Sequence, residues 1–280
     1  MKTLALALLG TTLVLPASSG QDTDAKLRSL EKQVAELQAE VDRLKNGPRA
    51  GGGIVIAGGN LGVGEVVGSG KLIGKSFALS DFTSVDVSTA FQVEVSYGKA
   101  FGVSVTTDDN VIDRVRVEKT GSTLRIALDT AGKAYRVSAL RASVTMPAVR
   151  GVSLSGAARG TVAGFRSVDD LVIKVAGASS LSGMVNAGEL RVEASGASRV
   201  DLKGVAGSAT LTAEGASQLR LADYRLGSAD VRLTGASRAE VRAADQIGFD
   251  LSGASRLEYT GRPTVVRAAV AGASSAVGGK

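Results

Sequence analysis

Three sets of residues in this 280-residue chain have types and spacings that could do chemistry. The first is a recurring serine: Ser179, Ser198, Ser217, Ser237, Ser255 and Ser274 each close a Gly-Ala-Ser triplet. A serine becomes a nucleophile only beside a base, and the chain has no histidine, so these hydroxyls read as structural. The absence of cysteine likewise removes thiol nucleophiles, zinc-type ligand sets and disulfides. The second set is acidic. Asp108-Asp109-Asn110 with Asp113 carries oxygen ligands of the kind calcium takes, but it reads more simply as a solvated turn. Other carboxylates have charged neighbours at matching spacing, unlike the separated pair that glycoside cleavage uses. Tryptophan is absent and aromatic residues make up 4%, so platforms for stacking sugars are scarce. The expectation is a chain that is not an enzyme and uses no cofactor and no metal; a polysaccharide-binding or polysaccharide-cleaving protein is the alternative.

The third set is basic. The position after each triplet reads Arg159, Ser180, Arg199, Gln218, Arg238, Arg256 and Ser275. Arg199, Arg238 and Arg256 are candidates for a strip that binds an anion or a polysaccharide. The plainer reading is a solvated face of cross-strand ion pairs, with Arg238–Glu240 and Arg256–Glu258 on single strands and Lys174–Glu193 and Arg232–Asp250 between neighbouring ones. A net charge of +6 over the chain is too mild to argue for nucleic acid.

Those residues must be positioned by the repeat itself. The glycines Gly156, Gly177, Gly196, Gly215, Gly235, Gly253 and Gly272 are separated by 21, 19, 19, 20, 18 and 19 residues. Around each, apolar residues alternate with polar ones. The position four before reads Val152, Ile173, Val192, Leu211, Val231, Phe249 and Ala268, and the intervening column holds Lys174, Glu193, Thr212, Arg232 and Asp250. Period 2 is a strand with one face inside. A coil of about 19 residues has a perimeter near ~60 Å at strand rise, so the chain must turn and return to the same column once per repeat. The fold class is therefore all-β: a single-stranded parallel β-helix, with glycine at a corner and the serines on its inner side.

The amino-terminal stretch differs. Residues 1–19 read as a secretory signal peptide: Lys2, an apolar Leu4–Leu15 core too short to span a bilayer, then Pro16-Ala17-Ser18-Ser19. No later segment is apolar enough to cross a membrane, so the chain is expected to be exported, to the periplasm, cell surface or outside. Residues 22–46 read as a coiled-coil helix. Leu27, Leu30, Val34, Leu37, Val41 and Leu44 form an unbroken a/d seam, expected to join two or three copies. Residues 47–70 are glycine-rich and read as a linker or a weak first coil, without the pattern of a phosphate loop.

Residues 71–280 are the expected β-helix, with opening coils over 71–150 and the Gly-Ala-Ser repeats over 151–280. The opening part keeps period 2 without a clean repeat, as in Val85-Asp86-Val87 and Val93-Glu94-Val95, and Thr120-Gly121-Ser122 is a hairpin turn. Val85–Val95 can be laid on Val152–Val162, which puts Thr89 where Gly156 stands. Ser80-Asp81-Phe82-Thr83-Ser84-Val85-Asp86-Val87, then Phe91-Gln92-Val93-Glu94-Val95, then repeated Gly-Ala-Ser coils, resembles the putative auto-transporter adhesin "head GIN domain" family. The resemblance covers roughly residues 70–280. It implies a right-handed wind and an exported or surface location, and it carries no catalytic residues over. The expectation for the whole chain is a structural or adhesive module at the cell envelope, with a surface glycan or matrix ligand as partner. The chain departs from the pattern at Thr89 and in its heptad segment.

Overall fold

The computed structural model describes residues 54–56, 64–166 and 170–279. The expected signal peptide, the heptad helix with its Leu27–Leu44 seam and much of the expected linker lie outside the described residues. Within them the chain is all-β apart from one 3-10 turn at Ile112–Arg114.

The repeats form stacked coils. Ser180–Ala194, Arg199–Ala213, Gln218–Leu233 and Arg238–Leu251 each run along a first face, bend, and run back along a second face. Each pairs in parallel with the next. Alternation decides which side chains go in. Ile173, Val192, Leu211, Val231 and Phe249 share one register column and are all buried. Leu181, Val200, Leu219, Ala239 and Leu257 form the matching column on the first face. Burying such side chains contributes about 1.5–3 kcal/mol each for the larger ones, and the stack lets each coil bury a face it could not bury alone.

The corner joins the two faces without interrupting the ladder. The Ser195, Ala197 and Arg199 amides donate to the Val175, Gly177 and Ser179 carbonyls at 2.9, 2.8 and 3.0 Å, one coil back. The seven triplet glycines have φ between 70° and 82°, the left-handed region that disfavours a Cβ. They stack in a single line: a Cβ on Gly177, Gly196, Gly215, Gly235, Gly253 or Gly272 would sit 2.6–2.7 Å from the carbonyl oxygen of the preceding glycine. Conformation and close approach therefore both demand glycine. The serines turn inward beside them. Ser198, Ser217, Ser237 and Ser255 are buried, and their hydroxyls donate to the carbonyl three residues earlier at 2.6–2.8 Å. The hydroxyl is thus satisfied by the backbone of its own corner, as a buried polar group must be.

The two ladders continue into the amino-terminal part. Ser84–Val87 lies on Gly151–Leu154 with Val85 opposite Val152, and Gln92–Tyr97 lies on Arg159–Arg166 with Val93 opposite Gly160. Thr89 stands above Gly156, whose Cβ would be 3.1 Å from the Thr89 nitrogen, and Thr89 itself has φ 73°. Further out the arrangement departs from the expected opening coils. Thr123–Leu128 and Leu140–Met146 still pair in parallel, but Val115–Thr120, Gly102–Asp108 and Leu72–Phe77 pair antiparallel. For Val115–Thr120 the reason is a short connection, the turn at Gly121 reversing the chain onto Thr123–Leu128. Gly102–Asp108, by contrast, lies between Leu72–Phe77 and Leu140–Met146, strands remote in sequence. Phe82, Phe91, Leu124, Ile126, Leu140 and Met146 fill this end of the core.

Within the stretch 47–70, read as a linker or a weak first coil, two short strands are described. Ile54–Ile56 pairs antiparallel with Ala134–Val137, and Glu65–Val67 pairs with the same strand in parallel. Both flank Ala134–Val137 in a small three-stranded second sheet.

Candidate functional site

The first face carries the candidate strip. Its outward positions are set by the register alone. Arg199, Gln218, Arg238 and Arg256 are direct neighbours on successive coils. The same column runs back through Ser180 and Arg159 to Gln92 and then Arg141. Sequence reasoning placed Arg159 in this column and missed Arg141, because Leu140–Met146 joins the face out of chain order, against Gln92–Tyr97. The second outward column, two residues along, reads Ser143, Glu94, Thr161, Ser182, Asp201, Arg220, Glu240 and Glu258.

Charge pairing along the column is uneven. Arg256 Nε donates to Glu258 Oε1 at 2.7 Å, and Arg199 Nε donates to Gln218 Oε1 at 3.3 Å. Arg141, Arg159 and Arg238 have neither an ion pair nor a hydrogen bond from their guanidinium groups among the described residues, so the expected Arg238–Glu240 pair is not formed. Around Arg141 and Arg159 the outward side chains are short, including Ser104, Ser143, Thr161 and Ser182. They leave an open groove of about 580 Å³ whose floor also includes Gln92 and Glu94.

The second face behaves differently. Lys174 meets Glu193 at 2.8 Å and Arg125 meets Asp86 at 3.3 Å. Arg232 lies opposite Asp250 in register, but its guanidinium pairs with Asp230 on its own strand at 3.3 Å, and Arg267 also engages Asp230. The expected Arg232–Asp250 pair is therefore not made. Asp230 stands between two guanidinium groups, and electrostatics favours that position.

The acidic cluster is a turn at Asp109-Asn110 with one buried member, Asp108. Buried Asp108 accepts the Gly70 and Ser138 amides at 2.8 and 2.7 Å. Asp109 accepts the Ser69 hydroxyl at 2.6 Å, while Asn110 accepts the Ser69 amide at 3.0 Å and donates to the Val67 carbonyl at 2.9 Å. The Ser69 hydroxyl, and after it Lys71, hold the Asp109 carboxyl below the usual carboxylate range. The three residues clamp the segment after Glu65–Val67, and their oxygens are committed to it. One further group lies outside any expectation. The Tyr224 hydroxyl is buried without a hydrogen-bond partner, and burial pushes it from 10.0 up to about 12.

Comparison with known proteins follows the geometry. The family model described as "Putative auto-transporter adhesin, head GIN domain" matches residues 81–263, more than half of the chain. Among solved structures, a putative adhesin from Bacteroides fragilis NCTC 9343 is 20% identical with a TM-score of 0.69, over 76% of this chain and 97% of that one. A putative lipid binding protein from Parabacteroides distasonis ATCC 8503 is 17% identical with a TM-score of 0.62, over 78% and 100%. A putative adhesin from the same organism is 19% identical with a TM-score of 0.60, over 77% and 100%. At these identities the likeness establishes a shared fold. No curated protein matches. No helix among the described residues is long and apolar enough to cross a membrane.

Proposed function

The chain belongs to the family described as putative auto-transporter adhesin, head GIN domain, and from that membership we propose an exported, non-catalytic binding module with an adhesin-like role at the cell envelope. The observation that carries the reading is the arginine row over a groove on the first face. On the first face Arg141, Arg159 and Arg238 stand in one register column without an ion pair among the described residues, the first two beside a hydroxyl-lined groove. Unpaired guanidinium groups in a fixed row are suited to carboxylate or sulfate groups on a surface glycan or matrix protein. Rigid stacking supports this use, because every arginine is mounted on a strand whose register is fixed on both sides.

The remaining parts of the reading concern delivery and assembly. The Lys2 and Leu4–Leu15 pattern supports export to the periplasm, the cell surface or the outside, and the coils are taken to wind right-handed. The Leu27, Leu30, Val34, Leu37, Val41 and Leu44 seam brings two or three copies together, so that several weak strips act at once. The test is a glycan and matrix-protein array probed with the purified exported chain, beside sedimentation of the same sample. Binding of one or more surface ligands by a dimer or trimer is expected. An array without signal refutes the adhesive reading, and a monomer at tens of micromolar refutes the assembly.

A further inference from the structure

The basic column has a period of its own. Arg141, Arg159, Arg199 and Arg238 occupy alternate rungs, with Gln92, Ser180 and Gln218 between them. Rungs of a sheet are about 4.8 Å apart, so the guanidinium row repeats every ~10 Å along the stacking axis. One monosaccharide of an extended polysaccharide advances by nearly one rung. Two rungs therefore match one disaccharide, and the long arginine side chains take up the small mismatch.

We propose that this column binds an acidic polysaccharide carrying one anionic group per disaccharide, laid along the stacking axis; the inference rests on the binding role proposed above and names its ligand class. Each anionic sugar faces an arginine, and each neutral sugar faces Gln92, Ser180 or Gln218, whose amide or hydroxyl groups suit sugar hydroxyls. The groove bordered by Arg141 and Arg159 supplies the space for the chain at the amino-terminal end. Discrimination comes from the groove end, where Glu94 lies two residues from Gln92 on the same strand and a polymer charged on every sugar places an anion near that carboxylate. Further along, Asp201, Arg220 and Glu240 flank Arg199, Gln218 and Arg238 and do not repeat that pattern. Arg256 is outside the row: it sits one rung beyond Arg238 and is held by Glu258 at 2.7 Å.

The experiment is calorimetric titration of the full exported chain with hyaluronan fragments, which carry one carboxylate per disaccharide. Oligogalacturonate of equal length, charged on every sugar, and neutral dextran oligomers serve as comparisons. Octasaccharides, long enough to engage all four arginines, are expected to bind at least tenfold more tightly than tetrasaccharides, with affinity falling as salt rises. Arg141→Ala and Arg159→Ala are expected to weaken binding at least tenfold each, with unchanged melting temperatures. Arg232→Ala on the second face is expected to leave it unchanged. Oligogalacturonate or dextran binding as tightly as hyaluronan overturns the inference, as does indifference to Arg159→Ala, as does no binding of hyaluronan at all. In each of those cases a ligand on the array leaves the adhesive role standing and moves its site.

Discussion

Substituting Gly215 by alanine tests the corner most directly, because the structure separates the two reasons for glycine there. Gly215 has φ 74°, which costs a residue with a Cβ about 1–2 kcal/mol. The new Cβ would also lie 2.6 Å from the Gly196 oxygen, which already accepts the Ala216 amide at 2.7 Å. Backbone cannot swing aside as a side chain can, so the coils must part, at about 1–3 kcal/mol for the strain. Weakening that amide bond adds about 1 kcal/mol. Against this, alanine restricts the unfolded chain and returns about 0.5–1 kcal/mol. The expected loss is about 2–5.5 kcal/mol, a large part of the ~5–15 kcal/mol that holds a typical domain.

Two controls resolve the components. Gly121→Ala has φ 59° with nothing within 4 Å, so it reports conformational strain alone, about 1 kcal/mol. Gly207→Ala lies outside the left-handed region with its nearest atom, the Gly188 oxygen, at 3.3 Å, and is expected to cost less than about 1 kcal/mol. The assay is urea unfolding followed by circular dichroism, with midpoint and slope compared across the three variants. If Gly215→Ala falls within about 1 kcal/mol of Gly121→Ala, the inter-coil contact carries no energy and the stacking argument fails.

Thr89→Gly is expected to raise stability by about 0.5–1 kcal/mol, because it relieves a β-branched residue at φ 73°; a lower urea midpoint counts against the strain. Tyr224→Phe is expected to leave stability unchanged or to raise it by about 1 kcal/mol at neutral pH, since it removes a buried hydroxyl with no partner. Its alkaline behaviour has a definite sign. The folded hydroxyl titrates near 12 and the unfolded one near 10.0, so the unfolded chain gives up its proton first, and stability is lost as pH rises from 10.0 towards about 12. Melting curves across that window should fall more steeply for the wild type than for Tyr224→Phe, and parallel curves refute the burial argument. Asp108→Asn removes a charged acceptor of two backbone amides, and hydrogen exchange at Gly70 and Ser138 should rise at least tenfold while the repeat core stays protected.

The repeats were legible because stacking writes itself into the sequence. A coil that must return to one column imposes a period, and a corner that admits no Cβ imposes glycine at that period. Hence Gly177 through Gly272, the buried column of Val192, Leu211, Val231 and Phe249, and the inward serines could all be read from spacing. Even the odd position was readable: Thr89, marked by the absence of glycine, adopts the glycine-like conformation. Residues 71–150 offered no such period. There, most strands lie beside partners remote in sequence, and groups such as Asp108 and Gly70 sit 38 residues apart with nothing local to link them. Short polar runs of this kind read as solvated turns unless the returning strand is known.

The same distinction explains why the candidate strip was only half visible. Within the repeats, column membership is arithmetic, and Arg159, Arg199, Arg238 and Arg256 fall into line. Which charges remain free is a different matter, because several carboxylates lie within reach of each guanidinium and their energies differ by less than about 1 kcal/mol at an exposed surface. Arg232 illustrates the point: register puts it opposite Asp250, yet it pairs with Asp230, where Arg267 also converges. Arg238, one coil face away and with Glu240 two residues along, makes no such pair among the described residues. A column that leaves arginines unpaired forgoes this small stabilisation at three separate rungs. Arg191 on the second face is unpaired among the described residues as well, so what marks the first face is that Arg141, Arg159 and Arg238 share one register column, the first two beside an open groove.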